Sequence, residues 1–320
     1  MSDSTSISVV ICTKDRPELL DGCLEALRRL RYPSYEIVVV DNGSRDDTTR
    51  LVAERHGARP LREDRVGLDN ARNRGAEEAA HEVVAYVDDD VRVDAEWLSA
   101  LGRAFEDPTV DAVTGLVLPL ELETPAQRLF EAYGDGMSKG LEAVTFRGAD
   151  LSAEALIAVQ HVGVGANMAV RKGALTDVGG FDPSLDLGTP AGGAGDLDLF
   201  HRLLAAGKTI RYEPSAVARH KHRREMGDLR RQLYDNGRSF GVYLIKLLRD
   251  RTVPRTAVAH YVVTTWLPWL VGRLVPSLLG RHPLPPRLIW AEVRGALVAP
   301  FAFASTYHRS RVLGGTPPLR

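Results

Sequence analysis

Short apolar runs that alternate with amphipathic segments constrain the fold of this chain more than any other feature. The runs lack charged residues in their interiors, as expected of strands buried on both faces, and lie at about 7–12, 36–40, 83–87 and 111–118. Between them, apolar residues recur every three or four positions, which predicts helices at about 17–30, 46–56, 70–80 and 95–105. Such alternation predicts an α/β fold with a mostly parallel central sheet flanked by helices.

Carboxylates stand where the predicted strands end. Asp88, Asp89 and Asp90 follow one strand directly, Asp41 closes another, and Asp15 follows the first. Parallel strands bring their carboxyl ends to one edge of a sheet, where ligands bind in open α/β folds. Adjacent carboxylates repel one another unless a cation or strong donors neutralise them, and their oxygens suit Mg²⁺ or Mn²⁺ carried with a diphosphate.

Each of these acidic positions has a structural alternative. The triplet is also compatible with an exposed acidic turn, and Asp15, just before Pro17, is well placed as a helix N-cap. Neither a GxGxxG loop nor a GxxxxGK[ST] loop follows any of the strands. Their absence argues against a dinucleotide-dependent dehydrogenase and against a P-loop enzyme.

The charge of the chain is divided between its two ends. The net charge is −1, yet residues 200–320 hold 21 Lys and Arg against 6 Asp and Glu, whereas residues 1–199 hold 20 against 36. An acidic body suits cation binding, and a basic end suits an anionic surface or simply a solvated face. The only two cysteines, Cys12 and Cys23, are interpreted as buried thiols. No secretory signal is predicted at residues 1–6.

Several motifs, in this order and spacing, resemble the family 2 glycosyltransferases with a GT-A fold. They are found at residues 9–16, 36–44, 70–75, 87–90, 179–182, 196–202 and 212–214, and at His220. The resemblance covers residues 7–222. It implies a nucleoside-diphosphate sugar as donor, a divalent metal (Mg²⁺ or Mn²⁺) and transfer with inversion. It divides the chain into a catalytic domain at 1–222, with a nucleotide half at 1–118 and an acceptor and base half at 160–222, and a basic, apolar, mainly helical region at 223–320.

The resemblance also implies roles for single residues. Donor-binding roles fall on Thr13, Asp15, Arg16, Asp41, Arg72, Asp88 and Asp89. The resemblance assigns metal ligation to Asp90 and His220, with His222 as the alternative to His220. The general base falls on Asp196, with Asp198 as its alternative. The family usually has a Glu immediately before this Asp, whereas this chain has Gly195 there. The alternative is that Asp196 is only a helix N-cap, because carboxylates are common at the start of a helix.

The C-terminal third contains a stretch, 256–272, without Lys, Arg, Asp or Glu, in which Trp266 and Trp269 flank Pro268. With Pro268 inside and an Arg at each end, this stretch fits a helix on a membrane surface better than a spanning helix. Packing in a protein core or a subunit interface is the alternative, and residues 296–304 form a second candidate segment.

These observations predict an inverting, metal-dependent glycosyltransferase that acts on a hydroxyl of a glycan or lipid-linked acceptor. A silent nucleotide-sugar-binding protein and a nucleotidyltransferase are the rival interpretations. No nucleic-acid partner is expected, and the oligomeric state is left open. The expected location is the cytoplasm, with peripheral contact at the inner face of the plasma membrane if the C-terminal stretch faces lipid.

Overall fold

A mixed nine-stranded sheet lies at the centre of the part of the chain that this computed structural model describes, which is residues 5–133, 136–186 and 189–312, with side chains as far as Tyr307. The strand order along the sheet is β3-β2-β1-β4-β8-β6-β9-β5, and β7 pairs with β9. The ranges of the strands are β1 Ile7–Thr13, β2 Tyr35–Asp41, β3 Arg59–Arg62, β4 Val83–Val87, β5 Val91–Val93, β6 Ala112–Pro119, β7 Val144–Arg147, β8 Asn167–Arg171 and β9 Thr209–His220.

Helices connect the strands and cover the two faces of the sheet. Their ranges are α1 Pro17–Leu27, α2 Thr48–Arg55, α3 Leu68–Glu78, α4 Trp97–Ala104, α5 Pro125–Glu131, α6 Ala153–Ile157, α7 Lys172–Asp177 and α8 Gly195–Ala205. Strands β3, β2, β1 and β4 are all parallel, whereas β8 is antiparallel to both β4 and β6. The GT-A type of α/β fold is confirmed, with the parallel strands concentrated in the N-terminal half.

The sequence patterns miss the short strands. Strands β3, β5 and β7 have three or four residues, too few for a periodicity to stand out. Strand β9 runs on past Pro214 to His220, because a register shift opposite Gly115 and Leu116 accommodates the proline. The side-chain amide of Asn167 donates to the carbonyls of Leu116 and Ala216 at this irregularity, so both carbonyls are satisfied.

The C-terminal third is helical, as predicted. Its helices are α9 Met226–Asp250, α10 Arg255–Tyr261, α11 Leu267–Gly272, α12 Leu274–Leu278 and α13 Pro286–Val312, with a π-helical turn at Val262–Trp266. Helices α9 and α13 pack closely at two glycines. A Cβ on Gly237 would lie 2.1 Å from the carbonyl oxygen of Glu292, and one on Gly295 would lie 1.9 Å from that of Tyr234.

The C-terminal helices share a hydrophobic core with the sheet. Tyr243 and Leu247 of α9 belong to the same buried cluster as Leu199 and Leu203 of α8. Within the described residues one helical segment, Pro286–Tyr307 of α13, is long and apolar enough to cross a membrane, and 39% of its most apolar window is buried in the protein. The apolar stretch 256–272 is divided among α10, the π-helical turn and α11.

Candidate active site

A cavity of about 1730 Å³ opens at the carboxyl ends of β1 and β4. Pockets for small molecules usually occupy roughly 300–1,000 Å³, so this one has room for two substrates. Predicted site residues that line it are Thr13, Asp15, Arg16, Arg72, Asp88, Asp89, Asp90, Asp196 and His220. The cavity therefore brings together nine residues that the sequence patterns place in five separate segments.

Asp89 is held from two sides by strand β1 and the loop after it. The hydroxyl of Thr13 donates to Asp89 Oδ2 at 2.7 Å, and Arg16 Nη1 donates to Asp89 Oδ1 at 3.3 Å. Burial raises the pKa of Asp89, the neighbouring Asp90 raises it further, and Arg16 and Thr13 lower it. Thr13 and Arg16 thus orient the acidic triplet in addition to lining the cavity.

Antiparallel pairing of β5 with β9 places His220 beside Asp90. Val91 is the partner of His220 in the ladder, and the backbone N–H of Lys221 donates to the carbonyl of Asp90 at 2.9 Å. His220 Nε2 lies 3.3 Å from Asp90 Oδ1, a buried oxygen that has no hydrogen-bond partner. Burial lowers the pKa of His220, which favours the neutral imidazole.

His222 lies behind His220. Its Nδ1 is 2.9 Å from His220 Nδ1, and its Nε2 is 2.7 Å from Glu131 Oε1 at the end of α5. Among the described residues that line the cavity, His220 is present and His222 is not. Of the two histidines that the sequence leaves open as metal ligands, His220 is the one that meets the acidic triplet. Neither the contact with Glu131 nor the buried pair of imidazoles is visible in the sequence.

Carboxylate oxygen and imidazole nitrogen are both ligands of divalent cations. A cation bound beside Asp90 Oδ1 would satisfy this buried oxygen, which has no hydrogen bond. No group of three or more His, Cys, Asp or Glu side chains is arranged around one point in the described ranges. Asp90 and His220 therefore fit a cation that takes its remaining ligands from substrate phosphates and water, as Mg²⁺ does in nucleotide sites.

Arg72 of α3 is a buried cation on the same wall of the cavity. Its guanidinium lies 3.3 Å from Asp69 Oδ1 and 3.8 Å from Asp88 Oδ1, and 5.2 Å above the ring of Phe181. Burial raises the pKa of Asp88 to about 7, with Arg72 acting against it and the neighbouring carboxylates adding to it. The position of Arg72 suits contact with an anionic diphosphate.

Asp196 lies at the start of α8 with its carboxylate at the cavity. Its Oδ2 accepts a hydrogen bond from the backbone N–H of Gly165 at 2.8 Å, and its Oδ1 accepts one from Leu197 at 2.9 Å. These two bonds orient the carboxylate, and its remaining lone pairs are free to meet a substrate.

Asp198, the alternative base, lies in a different environment. It is 1% exposed, and its two oxygens bind Lys246 Nζ at 2.5 Å and Arg202 Nε at 2.7 Å. Burial would raise the pKa of Asp198, but the two cations outweigh burial and hold it below its usual range. Asp198 is absent from the described residues that line the cavity, and its environment is that of a structural ion pair.

Asp69 is a cavity residue that the sequence analysis missed. A Cβ on Gly195 would lie 2.0 Å from Asp69 Oδ2, so the carboxylate occupies the space that a side chain at position 195 would need. Asp69 is 1% exposed, and burial raises its pKa well above the usual range. The two residues are 126 positions apart, so neither propensity nor spacing connects them.

Asp15 and Asp41, which are predicted to bind the sugar donor, make contacts with other parts of the protein. Asp15 has a positive φ of 52° and accepts a hydrogen bond from the backbone N–H of Arg45 at 2.9 Å. Helix α1 is capped by Arg16 without a side-chain hydrogen bond, so the N-cap alternative for Asp15 is wrong. Asp41 accepts from the backbone N–H of Ser44 and from Arg62. Asn42, not Asp41, is found among the described cavity-lining residues.

Aromatic side chains of the C-terminal region form the far wall of the cavity. Phe240, Tyr261, Trp266 and Trp269 line it, as does Tyr133 after α5. The rings of Phe240 and Trp266 are 5.8 Å apart, and Arg273 lies 3.6 Å over the ring of Trp269. From the sequence, both tryptophans were expected at a membrane surface, in a protein core or in a subunit interface, and their place in the cavity wall was not predicted.

Comparison with known proteins decides the family. The model for "Glycosyl transferase family 2" matches residues 8–176, which is more than half of the chain. The chain belongs to this family. The pre-mycofactocin glycosyltransferase of Mycobacterium tuberculosis is 31% identical over 230 residues, 69% of this chain. This chain spans only 44% of the length of that relative. Glycosyltransferase AglE of Haloferax volcanii is 25% identical over 296 residues, 90% of this chain and 85% of the relative.

Solved structures support the fold of this family 2 chain. The mannosyltransferase PcManGT from Pyrobaculum calidifontis superposes with a TM-score of 0.58 at 18% identity and covers 99% of this chain and 77% of its own. S. aureus TarS superposes with a TM-score of 0.56 at 15% identity and covers 96% of this chain and 92% of its own. The likeness extends over the C-terminal helices as well as the sheet.

Proposed function

We propose that this chain transfers a sugar from a nucleoside-diphosphate sugar to a hydroxyl of a glycan or lipid-linked acceptor, with inversion at the anomeric carbon. The observation that carries the proposal is the buried oxygen Asp90 Oδ1, which has no hydrogen bond and faces His220 Nε2 at 3.3 Å in a large cavity. Because such an oxygen is unfavourable without a cation or a donor, it supports a divalent cation that arrives with a diphosphate.

Asp90 and His220 would hold the cation, Mg²⁺ or Mn²⁺. A cation there neutralises charge that develops on the leaving diphosphate. Arg72 would help to neutralise the same charge, since its guanidinium lines the cavity 3.8 Å from Asp88 Oδ1. PcManGT was solved with GDP-Man and Mn²⁺, which is in keeping with this reading.

Asp196 is proposed as the general base. It accepts the proton of the acceptor hydroxyl as the hydroxyl oxygen attacks the anomeric carbon. The bond between that carbon and the diphosphate oxygen breaks on the opposite face, and its electron pair leaves with the diphosphate, so the configuration inverts. Backbone donors at Gly165 and Leu197 keep the carboxylate aimed at the cavity.

Thr13, Arg16 and Asp89 are proposed to act together on the donor, as an oriented set rather than as three independent contacts. Asp15, Asp88 and Asn42 line the cavity beside them. Asp41 is proposed to support the loop through Ser44 and Arg62. The acceptor is proposed to enter past the aromatic wall at Trp266 and Trp269, because these rings line the same cavity as the acids.

We also propose that residues 1–222 form the catalytic domain and that residues 223–320 form a C-terminal region.

The C-terminal region is proposed to contact an anionic membrane surface, because α12 and α13 expose large apolar side chains such as Leu278, Leu297 and Phe301. Two exposed arginines, Arg294 on α13 and Arg281 between α12 and α13, would meet anionic headgroups.

The test is a thermal-stability screen of nucleotide sugars, each with and without Mn²⁺. Binding to the native state raises the melting temperature by mass action, so the true donor stabilises the protein and does so more strongly with the cation. Asp90→Asn and Asp88→Asn should remove both the cation-dependent shift and transfer while the fold persists. Stabilisation without release of nucleoside diphosphate would favour a silent binding protein, and full activity of the double Asn variant would contradict the proposal.

A further inference from the structure

Four side chains form a buried chain of contacts from the end of α5 to the acidic triplet. Glu131 Oε1 lies 2.7 Å from His222 Nε2, and His222 Nδ1 lies 2.9 Å from His220 Nδ1. His220 Nε2 then lies 3.3 Å from Asp90 Oδ1. His222 is 3% exposed and His220 is 8% exposed, so water does not replace these contacts. We call these residues the Glu131–Asp90 chain.

The positions of the protons in this chain follow from its carboxylate end. A neutral imidazole carries one N–H, and an ionised carboxylate only accepts. When both imidazoles are neutral, Glu131 requires His222 to carry its single proton on Nε2, which leaves His222 Nδ1 as an acceptor. His220 must then donate through Nδ1. The remaining nitrogen of His220, Nε2, is left with a lone pair.

That lone pair faces another acceptor. Asp90 Oδ1 is buried, has no hydrogen bond and lies 3.3 Å from His220 Nε2, so in this tautomer the two atoms turn lone pairs toward the same position. The reversed arrangement would put a proton on His220 Nε2 and satisfy Asp90. It would also point the bare Nε2 of buried His222 at the carboxylate of Glu131 across 2.7 Å, which is unfavourable.

We infer that Glu131, acting through His222, selects the tautomer of His220 whose Nε2 can bind a divalent cation together with Asp90. Glu131 is thus a positioning residue for the cation site, and it connects that site to α5. This inference rests on the cation of the proposed function. The edge of Phe130 against the ring of His222, with centroids 4.7 Å apart, keeps the second imidazole in line with the first.

The tautomer is measured directly by NMR of the full chain labelled with ¹⁵N-histidine, without metal, donor or acceptor. Two-bond ¹H–¹⁵N correlations distinguish a protonated from a bare ring nitrogen, and His220→Gln and His222→Gln identify the two rings. We expect His220 to be protonated at Nδ1 and bare at Nε2. A proton on Nε2 of His220 in the wild-type protein overturns the inference, whatever the variants do.

The effect on the cation is measured with Mn²⁺ alone, by the loss of the free-ion electron paramagnetic resonance signal. Glu131→Leu should weaken Mn²⁺ binding by roughly 10- to 100-fold, the usual effect of losing an outer partner of a metal ligand. Glu131→Gln keeps an acceptor oxygen, so it should lose less affinity and retain the tautomer. Glu154→Leu is the matched control, because Glu154 lies 3.3 Å from the exposed His260.

Unchanged Mn²⁺ affinity and unchanged His220 tautomer in Glu131→Leu would overturn the inference. If that variant does not fold, the wild-type tautomer and Glu131→Gln still decide it. Because neither measurement uses a sugar, a protein that passes both and transfers no sugar would contradict the proposed function and leave this inference standing.

Discussion

Lys246 of α9 meets Asp198 of α8 with its Nζ 2.5 Å from Oδ1, and both side chains are almost fully buried. The same ammonium lies 2.9 Å from Asp182 Oδ2. Asp198 is two residues from Asp196, so this ion pair fixes the start of α8, where the proposed base lies. The C-terminal region thereby contributes a charge to the interior of the catalytic part of the fold.

Replacing the buried ammonium should therefore destabilise the whole chain. We expect Lys246→Met to lower the free energy of unfolding by about 3–5 kcal/mol, because it leaves buried Asp182 without its cation and Asp198 with Arg202 alone. The control is Lys208→Met, which removes a 2.6 Å pair with the exposed Asp177 and should cost about 1 kcal/mol or less. Denaturant titrations that give equal losses for the two variants would contradict this.

Substitutions of Asp196 and of Asp198 should affect different quantities, the turnover in the first case and the stability in the second. Asp196→Asn should reduce turnover by roughly 10²–10⁴-fold and leave the donor Kd and the melting temperature nearly unchanged, because a general base acts only on the acceptor proton. Asp198→Asn should instead lower the melting temperature, since it disturbs the pairs with Lys246 and Arg202. A larger loss of turnover in folded Asp198→Asn than in Asp196→Asn would move the base to Asp198.

Glycine at position 195 is required by the carboxylate of Asp69. Gly195→Ala places a methyl group 2.0 Å from Asp69 Oδ2, and overpacking of this kind lowers the free energy of unfolding by roughly 1–3 kcal/mol. Gly173→Ala, with no atom within 4 Å, is the control and should be neutral or stabilising. Asp69→Ala should recover part of the loss in the double variant. Additive effects in this double-mutant cycle would show that the two positions do not interact.

Stability should fall in mild acid through His201. Burial lowers the pKa of His201 below 6.5, while its ring nitrogens lie 2.7 Å from the carbonyl of Leu156 and from the hydroxyl of Thr252. A histidine whose pKa is lower in the folded than in the unfolded protein contributes stability that is fully present above the unfolded pKa. This stability is lost as the pH falls below the unfolded pKa. The free energy of unfolding should therefore drop from pH 7.5 to 5.5, and His201→Gln should show a smaller drop. An identical drop in both proteins would exclude His201 as the cause.

Vesicle binding tests the proposed membrane contact. The protein should co-sediment with anionic vesicles at low salt and be partly released at high salt, because attraction between exposed charges is screened. Leu297→Ser with Phe301→Ser should weaken sedimentation, since these side chains are 65% and 77% exposed. Leu51→Ser, which changes a 55% exposed leucine of α2, is the control. Failure to bind at any ionic strength would assign the apolar surface of α13 to a protein contact.

The aromatic stretch at 256–272 shows that hydropathy predicts a helix but not the environment of that helix. Hydropathy and flanking arginines predict a surface helix, and this stretch is helical, but its Trp266 and Trp269 line the cavity. An apolar segment is equally favourable against lipid, a core or a pocket. Only the neighbours that the fold supplies decide among these environments.

The sequence by itself determined the α/β architecture and the positions of the acidic triplet, because buried strands and strand-end carboxylates are local features of the chain. The resemblance of its motifs to the family also assigned site roles to Thr13, Arg16, Arg72, Asp196 and His220. Tertiary structure alone decided which carboxylate faces the cavity and which is paired, as Asp196 and Asp198 show. Glu131 with His222, and Asp69 with Gly195, meet across 91 and 126 residues. Such contacts depend on packing and leave no periodic trace in the sequence.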